Sequence, residues 1–150
     1  MPIIETVKVF DPANLFVSWG PVLFKGWAAG TKLTLTPQSD DTSDESGGDG
    51  EVTVIKLNDT RVTVVCTLSQ MSDTNTQLTN YRRIGRKSPN MAGAIFPFTV
   101  EDLNGNALYE APHAWIMKMV ERTFADTPQA MQWTFRCAHM DESGGSFGGF

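Results

Sequence analysis

The chain has 150 residues, a formal net charge of −5 and a hydrophobic fraction of 41%. This length suits one domain, and the balance of apolar and charged residues is typical of a globular chain, not a disordered one. No apolar run approaches the ~20 residues of a membrane span, and the N-terminus lacks a signal-peptide pattern. We therefore expect no membrane anchor and assembly in a cytoplasm. Cys66 and Cys137 are too few for a disulfide framework and form no paired zinc motif.

The negative charge is concentrated in one segment. Residues 40–51 contain six acids and no lysine or arginine, and the rest of the chain has a formal net charge of +1. Nucleic acid repels an acidic protein, so we expect no specific binding of nucleic acid. The six acids are Asp40, Asp41, Asp44, Glu45, Asp49 and Glu51.

Alternation of polar and apolar residues predicts about seven or eight strands. An N-terminal arm, residues 1–13, precedes the first of them. Asn104-Gly105 predicts a hairpin turn between two later strands, and Pro112 predicts a break within the second of these. The predicted strands are 15–19, 22–27, 32–36, a strand beginning at 51–54, 61–69, 95–100, one from about 108 that resumes at 115–120, and 131–138.

Residues 38–50 predict a long loop between two strands, because they are all polar or glycine. Hairpin loops usually have about 2–5 residues, and a loop of this length is usually functional or disordered. The Gly/Ser-rich tail, residues 143–150, has the composition of a flexible linker.

One helix is predicted at about 74–84. Thr74 and Gln77 have the spacing of a capping box, and Leu78, Tyr81 and Ile84 fall on one side at helical spacing. Gly85 suits the left-handed position that closes a helix. These elements predict a mainly β sandwich or barrel with one helix. Four bases at the helix end either compensate its dipole or form a phosphate-binding patch: Arg82, Arg83, Arg86 and Lys87.

A search for catalytic and metal-binding motifs finds none that is complete. His113 and His139 lack partners for a triad or a zinc site, and no Gly-x-Ser-x-Gly elbow is present. The acidic segment fails the EF-hand register, and its glycines lack the Lys-Ser/Thr of a phosphate loop. We therefore expect no enzyme activity, no cofactor and no metal.

The two cysteines are expected to be buried, reduced thiols. Cys66 and Cys137 lie on the apolar faces of two strands for which the pattern predicts central positions. If these strands are neighbours, their Cα atoms could fall within the ~4.4–6.8 Å range of a disulfide.

Several stretches between residues 10 and about 140 resemble the tail tube proteins of contractile-tailed bacteriophages, small structural proteins of about this length. Their order and spacing along the chain carry the resemblance. The stretches are Phe10-Asp-Pro-Ala-Asn14, Val17-Ser-Trp19, Gly48-Asp-Gly-Glu-Val52, Thr67-Leu-Ser-Gln70, residues 72–75, Phe96-Pro-Phe98, Val100-Glu-Asp-Leu-Asn-Gly105, Ala114-Trp-Ile116 and Trp133-Thr-Phe-Arg-Cys137.

The resemblance implies a two-sheet β-sandwich or barrel with one flanking helix, in a virion protein of the tail without enzyme activity. Six copies form a ring whose inner sheets join into one barrel, and rings stack into the tube that conducts the genome. Its implied partners are further copies of itself, the sheath protein, the tape-measure protein, and baseplate or terminator proteins. Phage DNA passes through the lumen without specific binding.

In such tubes a hairpin loop reaches from one ring to the next, and segment 38–50 matches its position. Its acids repel one another unless bases of an adjoining subunit approach them. Lysines and arginines in the lumen would bind the phosphates of the passing DNA. We therefore expect the lumen to carry more acids than bases, with the helix cluster 82–87 away from it. The candidate partners of the acidic segment are Lys25, Lys32, Lys56, Arg61, Arg82, Arg83, Arg86 and Lys87.

Two other functions remain open at this point. One is a related single-ring tail component, such as a terminator or a baseplate ring, which never forms a long rod. The other is a β-sandwich carbohydrate-binding module that uses the tryptophans Trp19, Trp27, Trp115 and Trp133.

Overall fold

A computed structural model describes residues 7–105 and 107–143. It confirms the predicted fold class, because the fold is mainly β with one helix. The first six residues of the predicted arm and nearly all of the predicted Gly/Ser tail lie outside the described residues. The elements are β1 (Leu15–Trp19), β2 (Val22–Leu23), β3 (Leu33–Pro37), β4 (Thr42–Ser46), β5 (Val52–Lys56), β6 (Val62–Ser69), α1 (Thr74–Lys87), a 3-10 turn (Pro89–Met91), β7 (Phe96–Asp102), β8 (Ala107–Ile116), β9 (Ala130–Cys137) and β10 (Asp141–Ser143).

Eight strands form one antiparallel sheet in the order β2-β1-β7-β8-β9-β6-β3, with β10 paired to β8. The sheet is strongly curled. β1 and β9 are separated by three strand spacings, about 14 Å in a flat sheet. The ring centroids of Trp19 on β1 and Phe135 on β9 are nevertheless only 5.2 Å apart. Ala111 and Ala114, the small residues of β8 between them, leave room for this contact.

The core lies on one face of this sheet, where the alternation of the sequence predicts it. On β6, Val64, Cys66 and Leu68 are buried, and they lie opposite buried Phe135, Trp133 and Met131 of β9. Helix α1 covers the same face, because Leu78 belongs to the core cluster and Tyr81 packs edge-on against Trp19. Within the described residues, no helix is long and apolar enough to cross a membrane.

The ends of the helix differ from the prediction. Thr74 is its first residue and not a cap, because Lys25 N–H donates to Thr74 Oγ1 at 3.1 Å. Ser72 Oγ instead accepts from the Thr74 N–H. Gly85 lies inside the helix, which continues to Lys87, and it is buried against Ala94. The predicted capping box and the predicted glycine terminus are therefore wrong.

The strand boundaries also need three corrections. β2 has only two residues, so the predicted strand 22–27 is too long. Pro112 does not break β8, because it forms a bulge with His113 opposite Pro97. The strand ends at Ile116, and residues 117–120 are irregular. β4 and β10 were not predicted: β4 lies within the segment that we expected to be a loop.

Both cysteines are buried, and they cannot form a disulfide with each other. Their strands are neighbours, as the prediction required. However, Cys66 lies opposite Trp133, whereas Cys137 lies opposite Val62, four positions before Cys66 on β6. Four residues span about 13 Å, far beyond the ~4.4–6.8 Å of a bridge.

Candidate assembly surfaces

The acidic segment forms a β-hairpin that stands apart from the main sheet. β4 and β5 pair with each other in a separate two-stranded sheet, between β3 and β6 along the chain. The turn is closed by Gly47 N–H donating to Glu51 O at 2.7 Å and by Gly50 N–H donating to Gly47 O at 3.0 Å. Gly50 has a φ of +86°, which glycine adopts without strain. The predicted 13-residue loop is thus a strand and a tight turn over most of its length.

Both faces of this hairpin are exposed along β4 and β5. One face combines Val52, Val54 and Lys56 with their cross-strand neighbours Ser46, Asp44 and Thr42. The two valines keep 61% and 65% of their surface exposed, which is unusual for β-branched side chains in a strand. An isolated two-stranded hairpin is at best marginally stable in water. Exposed valines of this kind are typical of a surface that another chain covers.

The six acids of segment 40–51 are all exposed on this hairpin and its base. Within the described residues, none of them forms an ion pair; the two pairs found there are Arg61–Asp59 and His139–Asp141. The structure thus places the predicted acids together on one projection whose charge the described chain leaves uncompensated.

The candidate basic partners fall into different places. Arg61 is already engaged, because its Nε and one terminal nitrogen each lie 2.9 Å from Asp59, and this contact lowers the pKa of Asp59 to about 2. Lys32 donates to the carbonyl of Pro12, and Lys56 lies on the hairpin itself opposite Thr42. The exposed Lys25 lies beside the first turn of α1, where its backbone N–H donates to Thr74 Oγ1. Only the helix-end bases form a cluster: Arg82, Arg83, Arg86 and Lys87.

A cavity of about 190 Å³ lies beside the end of α1. Its floor is apolar, formed by buried Trp19, Ala94 and Ile116. Arg82, Arg86 and Lys118 line it, and no carboxylate does. Sequence analysis did not identify Lys118, because it follows β8 and meets the helix only in the folded chain. We call this the helix-end cavity.

The long edge of the main sheet is open. Lys32 O accepts from Thr67 N–H at 2.9 Å, and Gln38 N–H donates to Arg61 O at 3.0 Å, so alternate residues of β3 bond to β6. The backbone N–H and C=O groups of Leu33 and Leu35 therefore point away from β6, toward the free edge of the sheet. No strand among the described residues covers this edge, and such edges pair readily with other chains.

Two further segments expose large apolar side chains. Val9 and Phe10, in the arm before β1, are 81% and 75% exposed. The arm is anchored where Asn104 exchanges two hydrogen bonds with the backbone of Asp11. In the irregular connection between β8 and β9, Phe124 is 80% exposed, with the Arg122 guanidinium 5.1 Å from its ring centroid.

The geometry supports neither a metal centre nor a sugar platform. Among the described residues, no group of three or more His, Cys, Asp or Glu side chains could hold a metal ion. His139 pairs with Asp141 at 2.7 Å on an exposed surface, and His113 is exposed in the β8 bulge. Trp19 and Trp133 are fully buried, so they are not available for stacking on a sugar. Trp27 and Trp115 are half-buried, and the Trp27 ring stacks on Phe24.

No protein-family profile and no curated protein matches the sequence. The fold, however, is similar to solved structures over almost the whole chain. The cap that terminates the tube of an anti-feeding prophage is 8% identical with a TM-score of 0.62, over 97% of this chain and 100% of that chain.

Two further similar chains come from an extracellular contractile injection system, PVC, in its extended state. Its sheath/tube terminator is 10% identical with a TM-score of 0.64, over 91% of this chain and 98% of that chain. A chain of its sheath–tube complex is 11% identical with a TM-score of 0.66, over 95% of this chain and 96% of that chain. At these identities the likeness concerns the fold: this chain has the fold of tube and terminator components of contractile injection systems.

Proposed function

We propose that the chain is a structural subunit of the inner tube of a contractile tail, and that it catalyses no reaction. Hexameric rings of the chain stack into a hollow tube that conducts the genome, with the sheath around it. The tape-measure and baseplate or terminator proteins are its other partners. The virion tail is its location, after assembly in the host cytoplasm. The observation that supports this proposal best is the β4–β5 hairpin, which stands apart from the main sheet with Val52 and Val54 uncovered.

Ring closure is proposed to use the open edge of β3. Backbone groups of Leu33 and Leu35 face outward there. Pairing this edge with a strand of the next subunit continues the sheet around a ring and leaves no edge exposed.

The face of the main sheet turned away from the core is proposed to line the channel. Cross-strand neighbours on this face are mostly uncharged, such as Thr36 with Thr63 and Thr67 with Gln132. Its charged strand residues are three acids and one base: Glu101, Glu110, Asp141 and Arg136. A wall with few charges and a slight excess of acids does not bind DNA strongly, because few cationic side chains contact the phosphates of the DNA. Helix α1 and its bases lie on the opposite, core side of the sheet.

A terminator ring is the second candidate function, because the similar structures include a tube-terminating cap and a sheath/tube terminator. Electron microscopy of the purified protein distinguishes the two functions. A tube subunit gives rods with six-fold rings and a central channel, whereas a terminator gives single rings. A protein that stays monomeric over a wide range of concentrations refutes both.

The hairpin is tested by replacing residues 39–60 with Asn-Gly, a sequence that favours a two-residue turn. The new turn joins Gln38 to Arg61, whose backbones are already hydrogen-bonded at 3.0 Å. The replacement removes seven acids and one base and takes the formal net charge from −5 to +1. No buried core residue is lost. We expect a folded subunit that forms rings but few rods. Rods of normal length from this variant would show that the hairpin has no role in stacking.

A further inference from the structure

An open cleft of about 380 Å³ lies beside the hydrophobic core, at the base of the β4–β5 hairpin. Its apolar wall consists of four side chains that pack against the core cluster but are only half-buried. They are Leu35, Val62, Tyr109 and Met140. Because each keeps part of its surface exposed, an apolar side chain of a partner gains contact with them without displacing the core. We call this the hairpin-base cleft.

The rim of the hairpin-base cleft is acidic. Three carboxylates line the cleft, and one of them, that of Asp59, is paired with Arg61. The other two, Asp41 and Glu142, have no ion-pair partner among the described residues. The cleft therefore suits a partner that brings an apolar group together with a cation.

The connection between β8 and β9 presents this combination of groups. Phe124 is 80% exposed, and the Arg122 guanidinium lies 5.1 Å from its ring centroid. Val120 of the same connection is buried in the core cluster, which fixes this segment to the subunit. Aromatic residues and arginine are enriched among the residues that dominate binding at protein interfaces. An exposed phenylalanine with an arginine beside it is thus a suitable anchor for the acidic cleft.

Phe124 does not lie beside the cleft of its own chain. Thr123, the residue before it, lines a surface depression together with Gln132, near the start of β9. Val62 of the cleft pairs with Cys137, the last residue of β9, and the cleft continues past that end toward β10. From Gln132 to Cys137 the strand rises about 17 Å. The phenylalanine and the cleft are therefore offset along the strand direction, and a second copy has to bring them together.

We propose that the β8–β9 connection of one copy docks in the hairpin-base cleft of a copy in the next ring. Phe124 packs on the apolar wall of the cleft, and Arg122 faces Asp41 and Glu142 on its rim. This inference rests on the proposed tube function and identifies a contact between its rings.

The direction of the offset favours a contact between rings over one within a ring. Ring closure through the β3 edge adds strands side by side, across the strand direction. The connection and the cleft are offset along the strands instead, so their contact shifts the second copy in that direction. It joins two different surfaces of the chain and repeats without closing, as growth of a tube requires.

Removal of the aromatic anchor tests the proposal while the hairpin stays intact. Phe124→Ala should leave the thermal unfolding of the subunit unchanged, because the side chain is 80% exposed. We expect rings to form, with the subunit concentration needed for rods raised about tenfold. The control Met71→Ala removes a side chain that is 77% exposed and lines neither surface, and we expect no comparable effect.

Charge reversal tests the cationic part of the contact. R122E should raise the subunit concentration needed for rods about two- to fivefold at low salt, and less at high salt. Adding D41K/E142K restores the complementary signs and is expected to recover rod formation. The control R83E makes the same change of charge on the exposed surface of α1, and we expect a much smaller effect.

Cross-linking tests the geometry directly. The variant A125C/E142C places one thiol next to Phe124 and one on the cleft rim, at two exposed positions. The native thiols are buried and give little background. Treated with a short bis-maleimide, rods of this variant should give a ladder of covalent multimers that extends beyond six copies. Each single-cysteine variant should give no ladder.

The outcomes separate the inference from the proposed function. The docking inference is overturned by rods of normal threshold from Phe124→Ala, by failure of D41K/E142K to rescue R122E, or by a ladder that is absent or stops at six copies. Each of these results leaves the tube function standing. Absence of rings and rods from the unmodified protein overturns the tube function itself.

Discussion

Asn75 joins the helix to the sheet, and its removal should destabilise the subunit strongly. Its Oδ1 accepts a hydrogen bond from the buried indole N–H of Trp133 at 2.8 Å. Its Nδ2 donates to the carbonyl of Ser69 at 2.8 Å. Asn75 itself is only 8% exposed, so water does not readily replace these partners.

The magnitude follows from these two bonds. In Asn75→Ala the Trp133 N–H remains buried without a partner, which costs about 1–3 kcal/mol. The lost bond to Ser69 adds about 1 kcal/mol. We therefore expect Asn75→Ala to lower the free energy of unfolding by about 2–4 kcal/mol. In the background Trp133→Phe there is no indole to leave unsatisfied, so the same change should cost only about 1 kcal/mol.

Urea unfolding followed by far-UV circular dichroism measures this double-mutant cycle. All variants are compared at one protein concentration, because assembly adds a concentration-dependent contribution to stability. Asn80→Ala, an exposed change in the same helix, is the control and should stay within about 0.5 kcal/mol. Additive effects of the changes at Asn75 and Trp133 would refute the reasoning that the indole bond couples helix and sheet.

Three further predictions concern the core and the channel. Burial raises the pKa of Cys66 well above its usual value and that of Cys137 to about 11, so the folded state keeps protons that the unfolded state loses. We therefore expect the free energy of unfolding to fall as pH rises from about 9 to 11, and this part of the slope to disappear in C66A/C137A. Gly85→Ala should lower the free energy of unfolding by about 1 kcal/mol, because the new Cβ would lie 2.8 Å from Ala94 Cβ and this overpacking exceeds the gain in helix propensity. Thermal unfolding measures the change. Greater stability of the variant, or no recovery when Ala94→Gly is added, would contradict the prediction. Thr36→Arg on the proposed channel face should make rods retain DNA at low salt and release it at high salt, and equal retention by unmodified rods would argue against that face as the lumen.

The segments with one buried face were predictable from the sequence. β6 and β9 alternate strictly, because one side of each strand packs in the core, and this alternation placed both cysteines on the inner face. The hairpin connection between β7 and β8 followed from Asn104-Gly105, a pair that is common between paired strands. The existence of one helix followed from its apolar spacing at Leu78 and Tyr81.

The tertiary structure decided everything that depends on partners distant in the chain. β4 has no alternation because both its faces are exposed, so only its pairing with β5 reveals it as a strand. The start of α1 is set by Lys25 and Ser72, which no local capping pattern contains. The register of β6 and β9 separates the cysteines by four positions, and a period of two cannot distinguish that register from one that brings them together. The helix-end cavity needs α1 and the residues after β8 side by side, and a single segment holds no trace of that arrangement.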